Sequence, residues 1–198
     1  MKNKFILRIK PEPEQALRLQ QLQASFAELC NALMPIVIEH RCWSRAALHH
    51  LAYRNLREKF PAMGSQMVCN AIYMVSRVGK KVYGAAGSPW NTKHGASKAM
   101  PTIRFGTNAP VFFDRNTLSL KGKTLSMFTP DGRIQFEVKL DGDLETRFAK
   151  DRLKEIGLLS VKDKFFLTFV FGQDDEVLND YPEYVSVVNA DRSVAPLV

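Results

Sequence analysis

The spacing of apolar residues changes twice along this chain, and each change predicts a different kind of element. Phe5-Ile6-Leu7-Arg8-Ile9-Lys10 ends in alternating apolar and basic positions and then meets Pro11 and Pro13. That pattern predicts a strand closed by a turn, with Arg8 and Lys10 on one face. From Glu14 onward Leu19, Leu22, Phe26, Leu29, Leu33 and Ile36 recur at spacings of three and four. They predict a long amphipathic helix entered through Pro13, which Pro35 kinks or brings to its last turn.

The helical period continues through two further segments. Ser44 is the expected N-cap of a helix running to about Lys59, with Leu48, Leu51, Ala52 and Leu56 on its buried face and His49, Tyr53 and Arg57 on another, beside His50 and Arg54. A third helix is expected after Pro61 and Gly64, capped by Ser65 and ending near Tyr83. Its buried side reads Met67, Ala71, Met74, Val75, Val78 and Val82. Gln66, Asn70, Tyr73, Arg77, Lys80 and Lys81 make a polar to basic stripe on the other side. Such a stripe suits nucleic acid, because amides read base edges and Arg or Lys hold phosphates. It equally fits an ordinary solvated face.

Residues 84–100 are rich in Gly, Ser and Ala, carry Lys93, His94 and Lys98, and lack apolar periodicity, so a flexible basic loop is expected. After it the period becomes two. Ile103–Phe105, Val111–Phe113, Leu118–Leu120, Leu125–Phe128 and Arg133–Leu140 alternate, separated by turn signals such as Asp114-Arg-Asn, Lys121-Gly-Lys and Pro130-Asp-Gly. A helical or irregular stretch follows near Asp143–Glu155, then a hairpin of Ile156–Ser160 and Lys164–Phe171 around Lys162-Asp163. The fold class expected is α+β: a small antiparallel β-barrel with a basic three-helix domain inserted, provided that the first strand pairs with the later ones. The boundaries are 1–11 for the first barrel strand, 12–100 for the helices and basic loop, 101–172 for the remaining strands and 173–198 for an acidic tail.

Charge sharpens this division. The chain of 198 residues has 28 Lys and Arg against 20 Asp and Glu, a net charge of +8. Residues 1–113 hold 16 basic and 5 acidic residues, whereas 173–198 hold 1 and 6. Between Arg41 and Arg104 there are eleven basic residues and one acid, Glu58. A helical block so unbalanced repels itself unless an anion sits on it, which points to nucleic acid.

Other chemistries find little support. Cys30, Cys42 and Cys69 fit neither a disulfide framework nor a CxxC zinc site, so reduced thiols in a cytoplasmic protein are expected, with no metal or cofactor. His40, Cys42, His49 and His50 lack metal-site spacing. GxxxxGK[ST], GxSxG and HExxH are absent, and Asp131-Gly132 and Asp141-Gly142 read as turns rather than calcium loops. No apolar run reaches the roughly 18 residues of a membrane span.

Four segments in this order resemble the N-terminal half of the TnpB/OrfB proteins, transposon-encoded RNA-guided nucleases related to type V CRISPR effectors. They are Phe5–Lys10 with Pro11-Glu-Pro-Glu-Gln15; Leu48–Phe60 leading into Gly64-Ser-Gln-Met67; Pro101-Thr-Ile-Arg-Phe105; and Leu125-Ser-Met-Phe-Thr-Pro-Asp-Gly-Arg133 with Lys164–Phe169 after it. Across residues 1–172 the resemblance implies a wedge barrel with an inserted recognition domain, which together hold guide RNA and inspect a short motif beside the DNA target. By position, Gln66 falls where the family presents an amide to that duplex, and Ser44, Arg45 and His49 fall on the neighbouring helix facing the same DNA. Charge and helical phase alone add Arg54, Arg57, Arg77, Lys80 and Lys81. Arg8, Lys10, Asn70, Lys93, Lys98 and Arg104 complete the expected nucleic-acid-binding set.

The family continues into a RuvC nuclease domain with three acidic metal ligands and usually a CxxC zinc insertion. Tyr184-Val-Ser-Val-Val-Asn-Ala-Asp191 resembles the first strand of that domain, with Asp191 as its first metal-binding aspartate and Ser193 where the family has glycine. A two-metal nuclease needs several carboxylates, so a lone Asp191 predicts no cleavage. The function expected is a TnpB-like module, cytoplasmic and nucleoid-associated, that binds guide RNA, duplex DNA or both. The alternative is a recognition subunit or fragment of a split endonuclease that needs a separate RuvC-bearing chain, and it predicts an exposed apolar patch.

Overall fold

The computed structural model describes residues 4–91, 99–140, 142–172, 185–189 and 194–195. In chain order the first elements are β1 (Lys4–Ile9), α1 (Pro13–His40), α2 (Arg45–Lys59), a single 3-10 turn (Pro61–Met63) and α3 (Gly64–Val82). Then come β2 (Thr102–Phe105), β3 (Val111–Phe113), β4 (Leu118–Lys121), β5 (Thr124–Thr129) and β6 (Gly132–Glu137). The last are α4 (Gly142–Lys150), β7 (Leu153–Val161), β8 (Lys164–Phe171), β9 (Val185–Val188) and β10 (Val194–Ala195). This is an α+β protein with two compact units, Met1–Ala24 with Asn108–Asn179 and Ser25–Thr107 with Asp180–Val198. No helix among the described residues is long and apolar enough to cross a membrane.

In the first unit, one antiparallel sheet has the order β1-β8-β7-β3. β1 lies against β8 with Phe5 opposite Phe169 and Ile9 opposite Phe165, so the chain's first strand is held by a strand far along the sequence. Phe5, Ile9, Phe165, Leu167, Phe169 and Phe171 are buried, and Phe148 of α4 meets Phe169 edge-on at 5.9 Å. β7 and β8 join through Lys162 and Asp163, both at positive φ (47° and 60°), the two-residue turn whose twist matches that of the strands. A second sheet, β4-β5-β6, receives the start of α1: Gln15 Nε2 donates to the Gln135 carbonyl at 3.1 Å, and Arg18 Nη2 to those of Asp131 (3.1 Å) and Gly132 (2.9 Å).

The second unit contains the rest of α1, then α2, α3 and a sheet of order β10-β9-β2. Its core reads directly from helical spacing: Phe26, Leu29, Leu33 and Val37 of α1, Leu48, Ala52 and Leu56 of α2, and Met67, Ala71, Met74, Val75 and Val78 of α3 are all buried.

Several expectations are corrected here. None of the three sheets closes into a barrel among the described residues, and β2, expected beside the later strands, pairs with β9 of the tail. Two-residue alternation shows that a strand is half-buried and not which strand it bonds. Of the two expectations for Pro35, the last turn is excluded: α1 runs on to His40 with Pro35 inside it, which costs one backbone hydrogen bond. It stops at Arg41 with φ of 44°, where Cys42 N–H bonds the Val37 carbonyl (3.1 Å) and Arg41 N–H that of Ile38 (3.3 Å), a cap in which Arg stands where Gly is usual. α3 begins at Gly64 off the 3-10 turn, so Ser65 lies inside it, and Leu51, expected buried, is exposed. β6 stops at Glu137, short of Leu140.

Candidate nucleic-acid interface

α2 and α3 form an antiparallel pair because only the 3-10 turn separates them and the start of α2 is tied to the end of α3. Ser76 Oγ donates to the Trp43 carbonyl at 2.7 Å. Beside it the Trp43 side chain lies over Gly79, so close that a Cβ there would stand 2.8 Å from Trp43 Cβ. Trp43 packs on Tyr83 (ring centroids 5.6 Å apart), Tyr83 meets Trp90 edge-on at 6.3 Å, and the fully buried Tyr83 hydroxyl donates to the Pro101 carbonyl at 2.6 Å. Burial raises the Tyr83 phenol well above its ordinary range, opposed by a hydrogen bond from the Ile103 backbone.

The stretch after α3, expected to be flexible from residue 84, is instead folded back as far as Asn91. Ser88 Oγ donates to the Val82 carbonyl (2.8 Å), and Asn91 Nδ2 donates to those of Gly84 (3.2 Å) and Ala85 (3.1 Å), satisfying carbonyls at the helix end. Lys93 and Lys98 lie outside the described residues.

On this scaffold the two helices bring cations and rings together. Arg45, the first residue of α2, has its guanidinium 5.1 Å from the centre of the Tyr73 ring, and Arg77 of α3 approaches the same ring at 5.5 Å. No acid occupies the first turn of α2, so Arg45 stands at the positive end of the helix dipole and the π-face of Tyr73 is what favours it. One turn on, the exposed His49 stacks on Tyr53, with centroids 4.6 Å apart and planes 17° from parallel. Arg57 continues that row. Its Nη1 is shielded from water and has no hydrogen-bond partner among the described residues, a costly state for a charged donor.

The remaining expected residues divide by environment. Ser44 has the extended backbone of an N-cap, and its carbonyl accepts from Leu48 N–H at 2.9 Å, but its hydroxyl makes no cap bond. Gln66 is half-buried, while Lys80 and Lys81 are exposed in the last turn of α3, where they oppose the negative dipole end. Asn70, expected on the polar stripe, is buried at 7% exposure with Nδ2 4.0 Å from Met67 Sδ. Arg54 is exposed, and its Nε lies 3.3 Å from Glu58, the one acid of the block, so its charge is partly answered already. Arg104 is exposed on β2 opposite Ser186 of β9. Arg8 is exposed on β1 in the other unit; Lys10 is exposed too, but β1 ends at Ile9. β9 forms where the RuvC-like strand was expected, whereas Asp191 lies outside the described residues.

Sequence reading missed the part played by the rings. Tyr53 and Tyr73 appeared only as stripe members, although the i,i+4 spacings 49–53 and 73–77 signalled both contacts within a helix; the Arg45–Tyr73 contact between helices had no such signal. Among the described residues no three His, Cys, Asp or Glu side chains gather as metal ligands. No protein-family model matches the chain, and neither does any curated protein.

Proposed function

We propose that this chain is a nucleic-acid-binding module of TnpB-like type, holding guide RNA, target-adjacent duplex DNA or both, in the cytoplasm at the nucleoid. Recognition, not cleavage, is the activity we assign to it. The observation that carries the reading is the α2–α3 face, where Arg45 and Arg77 flank Tyr73 and His49 stacks on Tyr53 in a block whose single acid is Glu58. Cations supply sequence-independent affinity for phosphates, and rings supply stacking surfaces for bases.

Salt dependence tests it. About five phosphate contacts on duplex DNA give a log–log slope near −4.5, so raising salt from about 50 to 200 mM weakens binding roughly 500-fold. Affinity that barely changes over this range would sink the proposal. Arg77→Ala with Lys81→Ala should weaken all sequences alike, whereas Gln66→Ala should relax sequence preference more than it lowers affinity.

A second reading, a recognition subunit that docks a separate RuvC-bearing chain, is favoured by one feature of the β1-β8-β7 sheet. Strand register puts Ile6, Arg8, Phe166, Leu159 and Val161 on a single face, where Ile6 is 64% and Val161 46% exposed and Phe166 and Leu159 are half-buried between them. Metal-dependent cleavage on mixing with such a chain, abolished by Ile6→Glu, is the expected outcome. No cleavage with any divalent metal would remove this reading.

A further inference from the structure

We infer that the α2–α3 face takes unpaired nucleobases, stacked on the His49–Tyr53 ring pair, in preference to a duplex. This rests on the nucleic-acid reading above and narrows it to single-stranded segments.

Three observations carry it. First, His49 is exposed and Tyr53 covers one face of its ring at 4.6 Å and 17°, which leaves a flat surface held in place by the partner beneath it. Both rings project from one helix at i,i+4, so little conformational freedom is lost when a base is added to the stack. Second, of the two amides on the expected stripe, Asn70 is withdrawn into the interior and Gln66 is half-buried. A duplex shows a protein base edges and phosphates, because its base planes are already covered by their neighbours. A surface built of planes with few edge-reading groups therefore has more to offer a strand whose bases are splayed out. Third, Arg45 and Arg77 are held on the Tyr73 ring, and Arg57 sits one turn beyond Tyr53. Cations on either side of a ring stack match the alternation of phosphate and base along a single strand.

The chemistry of the ligand is thus a run of a few nucleotides with unpaired bases, held mainly by stacking and phosphate contacts. Either RNA or DNA offers the same base planes. Comparing oligo(U) with oligo(dT) separates the two sources, since only a contact to the 2′-hydroxyl would favour the first.

The test uses the full chain and fluorescence anisotropy, with labelled oligo(U) of about 12 nucleotides and an RNA duplex of about 12 base pairs at equal ionic strength. The single strand should bind about tenfold tighter or better. His49→Ala should cost the single strand about tenfold and the duplex less than about twofold, and His49→Phe, which keeps a plane and removes the titratable ring, should restore most of the loss. Photocrosslinking from 4-thiouridine should mark residues 45–57. Equal or tighter duplex binding, equal loss for both probes on His49→Ala, or crosslinks confined to other segments would each overturn the inference while leaving nucleic-acid binding in place. Failure of both probes to bind at low salt would overturn the proposed function itself.

Discussion

Asn31 holds Phe105 by both ends of its backbone: Asn31 Nδ2 donates to the Phe105 carbonyl at 3.0 Å, and Asn31 Oδ1 accepts the Phe105 N–H at 2.8 Å. The side-chain amide thereby does for β2 what a neighbouring strand would do, while β9 bonds the strand on its other side. Both bonds are part-buried, so each contributes about 1 kcal/mol and an unmet partner costs more. Asn31→Ala should lower stability by about 2–3 kcal/mol in urea unfolding, and Asn31→Asp, which keeps the acceptor alone, should also be destabilised. Unchanged midpoints for both would show that the pair contributes nothing.

Gly79→Ala sets two effects against each other. Alanine in a helix interior is favoured over glycine by about 1 kcal/mol, but here the new methyl would stand 2.8 Å from Trp43 Cβ, an atom fixed close to the backbone. Overpacking of this kind costs about 1–3 kcal/mol, and we expect it to win. The variant should melt lower than the parent, with altered tryptophan fluorescence. A higher melting temperature would mean that Trp43 moves aside freely.

Tyr83 gives a pH dependence of definite sign. Its phenol is raised above the ordinary value of 10 in the folded protein, so above pH 10 the unfolded chain releases this proton while the folded one keeps it. The Tyr83 contribution is therefore fully present below pH 10 and is lost as pH rises, by up to about 1.4 kcal/mol per pH unit. Tyr83→Phe loses the bond to Pro101 at neutral pH but should narrow its deficit against the parent between pH 10 and 11. Parallel stability curves for the two proteins would refute this.

Arg57→Met separates stability from binding. It keeps the aliphatic stem and removes a shielded donor that lacks a partner, so folding stability should hold or rise by roughly 1 kcal/mol. If Arg57 touches a phosphate, the salt dependence of binding should become shallower by about 0.7–0.9 in log–log slope. A drop in stability with an unchanged slope would make Arg57 a purely structural residue.

How far the sequence reached depended on the range of the interaction. α1, α2 and α3 were legible because each repeats its apolar positions over several turns, and the strands and the Lys162-Asp163 turn because alternation and turn chemistry are local. The candidate face was legible as a basic block. It was not legible as a site, since the Arg45–Tyr73 contact joins two helices, and Asn70 and Arg77 differ in burial although both fall on one predicted stripe.

By itself, then, the sequence determined the kinds of element, the basic character of the helices and the acidity of the tail, because propensity, period and charge belong to neighbouring residues. The tertiary structure alone decided that β1 bonds β8, that β2 lies between β9 and Asn31 rather than in a barrel, and that Tyr73 of α3 takes Arg45 from α2. Every strand offers the same row of N–H and C=O groups, and every exposed cation accepts any nearby acid or ring. Which partner is met depends on where the packed core brings the chain back to itself.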